Sequence, residues 1–192
     1  MMVIEAVRNS VGKDFPIEMR ISTEECISSD KRLSLDDVIT FIQHAEPYID
    51  IVNCSRGLDM IREANIHHAA TIFEPHITNQ EALRKIRANT SCLLSVVGSI
   101  MTPEEAESLL EEGSADLIML GRSTLADPFW PVKAQMGHSE DIVPCIRCLQ
   151  CYHVSTDHKN VQCSVNPRFN REKRVPCLLY TSPSPRDGAT SR

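Results

Sequence analysis

The sequence predicts an α/β fold assembled from parallel βαβ units. Three observations carry that expectation. Short apolar runs alternate with helical patterns over the first 130 residues. The runs "CLLSVVGSI" (92–100) and "ADLIMLGR" (115–122) are almost unbroken in apolar residues, as strands covered on both faces are. Helix start and stop signals fall between such runs.

Taken in order, "FPIEMRIS" (15–22) reads as a strand followed by a polar loop. "SLDDVITFIQHAEP" (34–47) reads as a helix: Ser34 can cap it, Asp36 and Asp37 suit the positive end of its dipole, and Val38, Ile39, Phe41 and Ile42 supply an apolar face. "YIDIVNCS" (48–55) is the next strand, and a long irregular stretch, "RGLDMIREANIHHAATIFEPH", leads to a helix over 79–89. After the strand at 92–100, "TPEEAESLLEEG" (102–113) has Thr102 as cap, Pro103 at the first helical position, Glu105 completing a capping box and Gly113 as the stop. The strand at 115–122 closes the series.

Two architectures accommodate this order: a doubly wound open sheet, or part of a (β/α)8 barrel. No G-x-G-x-x-G follows any strand, which counts against a dinucleotide-binding sheet. Gly98 follows one strand and Gly121-Arg122 the next. Barrels build phosphate sites from loops after consecutive late strands, although a turn alone would also call for glycine at both places.

The 192 residues suffice for a buried core, and 42% apolar with 24% charged residues suits a globular domain. A net charge of -6, without a basic cluster, excludes a nucleic-acid binder that works by phosphate attraction. No apolar run approaches the roughly 20 residues that cross a bilayer, and the charged N-terminus is unlike a signal peptide, so a cytoplasmic protein is expected.

Eight cysteines are many for such a protein. Cys54 and Cys92 lie within apolar strand-like runs and read as small core hydrophobes. Four others are patterned: Cys145-x2-Cys148-x2-Cys151, then Cys163 after eleven residues, followed by the turn signal Asn166-Pro167. A C-x2-C-x2-C run with a remote fourth cysteine is a cluster-type arrangement, whereas zinc sites present two separated pairs. Zinc, or no metal, stays open at this level.

The phrases "VGKDFPIEMRIS", "IDIVNCSRG", "VVGSIMTPEEAESLLEEGSADLIMLGRSTLADPFWPVK", "DIVPCIRCLQCY" and "CSVNPRFNRE" fall within residues 7 to 172. In that order they resemble the NADH:flavin oxidoreductases related to old yellow enzyme, in the iron–sulfur branch with 2,4-dienoyl-CoA reductase and trimethylamine dehydrogenase. The resemblance implies the C-terminal half of an FMN-binding TIM barrel over 1–138, beginning near the fifth strand, and a loop-rich [4Fe-4S] segment over 139–175. Residues 176–192, ending "SPSPRDGATSR", read as a non-native or disordered tail.

The resemblance assigns roles as well. Arg20 lies by the flavin ring; Gly98, Ser99, Gly121 and Arg122 hold the FMN phosphate; Cys145, Cys148, Cys151 and Cys163 ligate the cluster. His67 and His68 are candidates for the acid that protonates substrate. The whole enzyme would pass electrons from NAD(P)H, through FAD and [4Fe-4S], to FMN, reducing an activated C=C bond of a small enoyl or dienoyl substrate. Amine oxidation is the alternative within the family, and a zinc-knuckle-bearing phosphate-binding domain the alternative outside it. Half a barrel leaves two sheet edges unpaired, so the isolated chain is expected to be inactive.

Overall fold

The structure, a computed structural model, describes residues 1–173. The expected tail at 176–192 and the end of the expected cluster segment therefore lie outside the described residues. Strands β1 (Glu18–Ser22), β2 (Ile51–Ser55), β3 (Leu93–Val96) and β4 (Leu117–Ile118) form one parallel sheet in the order β1-β2-β3-β4. Each strand neighbours the next in sequence, and the order never reverses. A doubly wound sheet reverses at its switch point; a barrel wall does not, so the sheet is a barrel wall.

The helices are α1 (Met2–Val11), α2 (Leu35–Ala45), α3 (Arg62–His68), α4 (Gln80–Arg87), α5 (Pro103–Glu111), α6 (Arg122–Ala126), α7 (Trp130–Gln135) and α8 (Gln150–Thr156). Two have complete capping boxes. Ser34 accepts from the amide of Asp37 while Asp37 bonds back to Ser34, and Thr102 and Glu105 do the same at α5, with Pro103 leading.

The two faces of the sheet differ in kind. On the outer face Val52, Cys54 and Leu94 are 0% exposed, packed with Val96 against Val38 and Ile42 of α2, Leu83 and Ile86 of α4, and Leu109 of α5. Each fully buried aliphatic side chain of this kind stabilises the fold by about 1.5–3 kcal/mol. The inner face carries Arg20, Asn53 and Ser95 in one register row with Leu117. Leu93 and Leu117 on that face are 49% and 42% exposed. Asn53 and Ser95 of the same face are buried, so the expectation of strands covered on both faces holds outward throughout and inward only at the middle of the sheet.

Other differences are local. The stretch taken as irregular contains α3. The strand read over 115–122 is regular only at Leu117–Ile118, with the Asp116 and Met119 amides bonding to β3 on either side, and Arg122 begins a helix instead of continuing a loop. Phe41 is exposed; α2 buries Val38, Ile42 and Ala45. α1 was not anticipated and buries nothing; Arg8 ties it down, donating to the Tyr48 carbonyl at 3.1 Å and pairing with Asp50 at 2.5 Å.

Candidate functional site

In a parallel sheet every strand ends on the same side, so the loops after β1 to β4 gather at one rim. Asn79, 2% exposed, fastens two of these ends, its Nδ2 donating to the carbonyls of Cys54 (3.3 Å) and Val97 (3.0 Å). Gly98 follows with φ 152°, where a Cβ would lie 3.3 Å from Thr78 Oγ1. Ser99 is left-handed at φ 54°, a conformation that costs a non-glycine residue about 1–2 kcal/mol. The residue that uses this strained turn comes from the next loop. Arg122 donates from Nη2 to Ser99 Oγ (3.0 Å) and from Nη1 to the Ala70 carbonyl (2.7 Å).

Around this knot lies a cavity lined by Arg20, His67, His68, Asn79, Gly98, Ser99 and Arg122 among others. Six of the sequence-chosen residues thus meet in one place. Arg20 reaches it from the middle of β1, pointing off the inner face. Gly121 sits apart from this cavity, on an adjoining one shared with His68, Arg122, Cys151 and Tyr152. His67 and His68 lie at the C-terminal end of α3 rather than in a loop; His67 Nδ1 bonds Glu74 Oε2 at 3.2 Å.

The chemistry of this lining fits a flavin nucleotide. Two guanidiniums offer donors to phosphate and ring oxygens. The Oδ1 of Asn79 is buried without a partner among the described residues, and an unpaired acceptor calls for a donor such as a ribityl hydroxyl or ring N–H.

The four patterned cysteines surround a second, small cavity, closed by Arg122, Leu125, Ile146, Leu149, Ser164 and Val165. Arg122 therefore stands between the two cavities. All four thiols are free, as are Cys26, Cys54 and Cys92. Burial pushes the Cys151 thiol up, whereas the Ser164 hydroxyl, 3.2 Å from Cys148 Sγ, pulls that thiol down. No three of these sulfurs lie within 4.8 Å of one another. A tetrahedral zinc with Zn–S bonds of about 2.3 Å would hold them roughly 3.8 Å apart. Four thiols around one cavity are a donor set that suits a metal or an iron–sulfur centre.

Side chains to which the sequence reading gave no docking role fasten this nest to the barrel wall. Arg147 donates to the carbonyls of Glu74 (2.7 Å), Ile72 (3.3 Å) and Pro75 (3.4 Å). Tyr152 donates to Asp59 and accepts from Asn65 Nδ2 at 2.7 Å. Asn166 Nδ2 donates to the Leu125 carbonyl at 2.9 Å. The partners of Arg147 lie more than seventy positions away, and no local pattern announces a contact of that range.

The chain is similar to several known proteins. Residues 1–141 match the model of the NADH:flavin oxidoreductase / NADH oxidase family. A metal reductase of Desulforamulus reducens is 33% identical over 183 residues, 94% of this chain and 26% of that protein. Histamine dehydrogenase from Rhizobium sp. 4-9 superimposes with a TM-score of 0.79 at 26% identity, over 88% of this chain and 24% of that one. 2-Naphthoyl-CoA reductase, solved with 2-naphthoyl-CoA, gives 0.80 at 25% identity, over 88% and 26%. The chain thus spans about a quarter of the length of the relatives it matches.

Proposed function

The chain belongs to the NADH:flavin oxidoreductase / NADH oxidase family, and from that premise we propose that it forms the flavin-phosphate wall and the iron–sulfur segment of an NAD(P)H-dependent oxidoreductase acting on an activated C=C bond. Residues 1–138 are the FMN-binding part and 139–175 the [4Fe-4S] part, with FAD and NAD(P)H bound elsewhere in the whole enzyme. When bound, FMN supplies two-electron transfer to substrate and [4Fe-4S] supplies one-electron transfer to the flavin.

The chain's own residues would divide the work. Arg122, Gly98, Ser99 and Gly121 hold the phosphate end through N–H donors and a fixed positive charge. Arg20 places a cation on the inner face, where it favours negative charge on the ring. His67 is the better-placed proton donor: Glu74 holds its Nδ1, leaving Nε2 to deliver a proton to the substrate carbon. His68 instead faces Tyr152, with ring centroids 6.5 Å apart. Cys145, Cys148, Cys151 and Cys163 ligate the cluster.

The observation that carries the reading is the placement of Arg122, which lines both the thiol nest and the cavity bearing Arg20, Gly98 and Ser99. Groups held in the two cavities would have this one side chain between them. Amine oxidation is the second reading, favoured by the similarity to histamine dehydrogenase.

The test is purification of the complete enzyme with cofactor and turnover analysis. Bound FMN, about four irons per chain and NAD(P)H-dependent reduction of a 2-enoyl or dienoyl thioester are expected. Amine-dependent flavin reduction would move the assignment to the second reading, and stoichiometric zinc without iron would overturn it. In the same enzyme Arg122→Ala removes a charge-assisted phosphate contact of about 1.5–3 kcal/mol, so FMN retention should fall by at least tenfold. Unchanged retention would remove Arg122 from the phosphate site.

A further inference from the structure

We infer that Arg147 is a positioning residue for the thiol nest: its buried guanidinium clamps the turn between Cys145 and Cys148 onto the barrel loop 72–75 and fixes the geometry in which the cluster is held. The inference rests on the iron–sulfur reading of the four cysteines. Three observations support it.

The first is backbone strain. Arg147 stands at φ 51° and Leu149 at φ 59°, so the C-x2-C-x2-C run makes one left-handed step in each interval, both on residues with side chains. Glycine would take either step without penalty. A long side chain at such a position persists where the surroundings use it.

The second is what the side chain does. Arg147 is only 9% exposed, and its guanidinium donates to three carbonyls of one loop. The planar fork of an arginine can span several backbone oxygens at once, which a lysine ammonium cannot. Its own amide donates to Cys145 Sγ at 3.4 Å, so the residue touches a proposed ligand at one end and the barrel at the other.

The third is charge. Among the described residues no carboxylate pairs with Arg147. A buried cation without a counter-ion is costly unless an anion completes it. Four thiolates closing on iron beside this turn would supply that negative charge. The Arg147 loop partner Glu74 also holds His67, so the clamp joins the nest to the stretch that carries the proposed proton donor.

Glycine separates the two halves of the argument, because Arg147→Gly keeps the left-handed turn and deletes only the clamp. In the complete enzyme, iron release to a chelator and the electron paramagnetic resonance of the reduced cluster are measured for the parent, Arg147→Gly and Arg147→Lys. Release should be about 10–100-fold faster in Arg147→Gly, the range typical of lost outer-shell support, with an altered resonance. FMN content and far-UV dichroism should stay as in the parent. Arg147→Lys keeps the charge and should fall between the two. Release and resonance unchanged in Arg147→Gly would overturn the inference. If the glycine variant does not fold, the lysine variant decides: a parental release rate refutes the clamp, and faster release supports it. A parent that holds no iron would instead sink the iron–sulfur reading itself.

Discussion

The barrel wall and the cysteine segment hold their shapes by different means. The wall is sealed by its outer face, where Val52, Cys54 and Leu94 are completely buried beneath three helices. Beyond residue 142 the sole buried apolar residue among the described residues is Val154. That segment is held by polar straps: Arg147 to Ile72, Glu74 and Pro75, Tyr152 to Asp59 and Asn65, and Asn166 to Leu125. One region is stabilised by removing carbon from water, the other by a few directional bonds and whatever its thiols bind. The two should therefore fail independently, and each of the following experiments tests that separation.

The largest expected effect is chemical. Burial pushes the Cys54 thiol up to about 12, so at pH 8 its thiolate fraction is on the order of a thousandfold below that of an ordinary cysteine. In metal-stripped native protein, peptide mapping after alkylation should show Cys145, Cys148, Cys151 and Cys163 modified while Cys54 is spared. Comparable labelling of Cys54 would mean that the wall opens together with the segment.

The next effect is on the wall itself. Leu94 is fully buried between β2 and the helices, so Leu94→Ala should cost about 2–5 kcal/mol of global stability, read by urea denaturation of the complete enzyme. Iron release from the remaining folded protein should hardly change. Release accelerated in step with the destabilisation would show that the two regions share one cooperative unit.

The same division explains what could be read from the sequence. The wall was legible because its devices are local: the Thr102–Glu105 box, the Ser34 cap and the apolar runs all operate within a few residues. The elements missed lack such signals. α3 is preceded by Ile61 and α8 by Leu149, neither of which offers a capping side chain, and α1 buries no residue. At the candidate site, spacing revealed the cysteines and strand-end glycines revealed the phosphate knot. Arg147, Tyr152 and Asn79 were not legible, because their roles come from partners that only the fold brings near. Phe41 misled for the converse reason: helical periodicity gives a face, but the neighbour that would cover its edge is a tertiary matter.

The smallest effect concerns the joint between the regions. Asp127 is buried at the end of α6, where it accepts from Lys133 Nζ (2.6 Å), the Phe129 amide (3.0 Å) and the Val143 amide (3.0 Å) at the entrance to the cysteine segment. Burial alone would push its carboxyl up. The Lys133 ammonium and the two amides outweigh that and hold it below the usual carboxylate range. A carboxyl depressed on folding contributes its stability in full above the unfolded value of about 3.9 and loses it as the pH falls through the lower folded value. Asp127→Asn should therefore cost about 1.5–3 kcal/mol at pH 7, since hydrogen bonds to a charged group are weakened. The gap between the two proteins should narrow below about pH 4, where the parent also loses its carboxylate. Urea titrations of both metal-stripped proteins at pH 7, 5 and 3 measure it. A gap that is constant across that range would show that the joint depends on the shape of Asp127 and not on its charge, leaving the cysteine segment attached to the barrel wall by neutral hydrogen bonds alone.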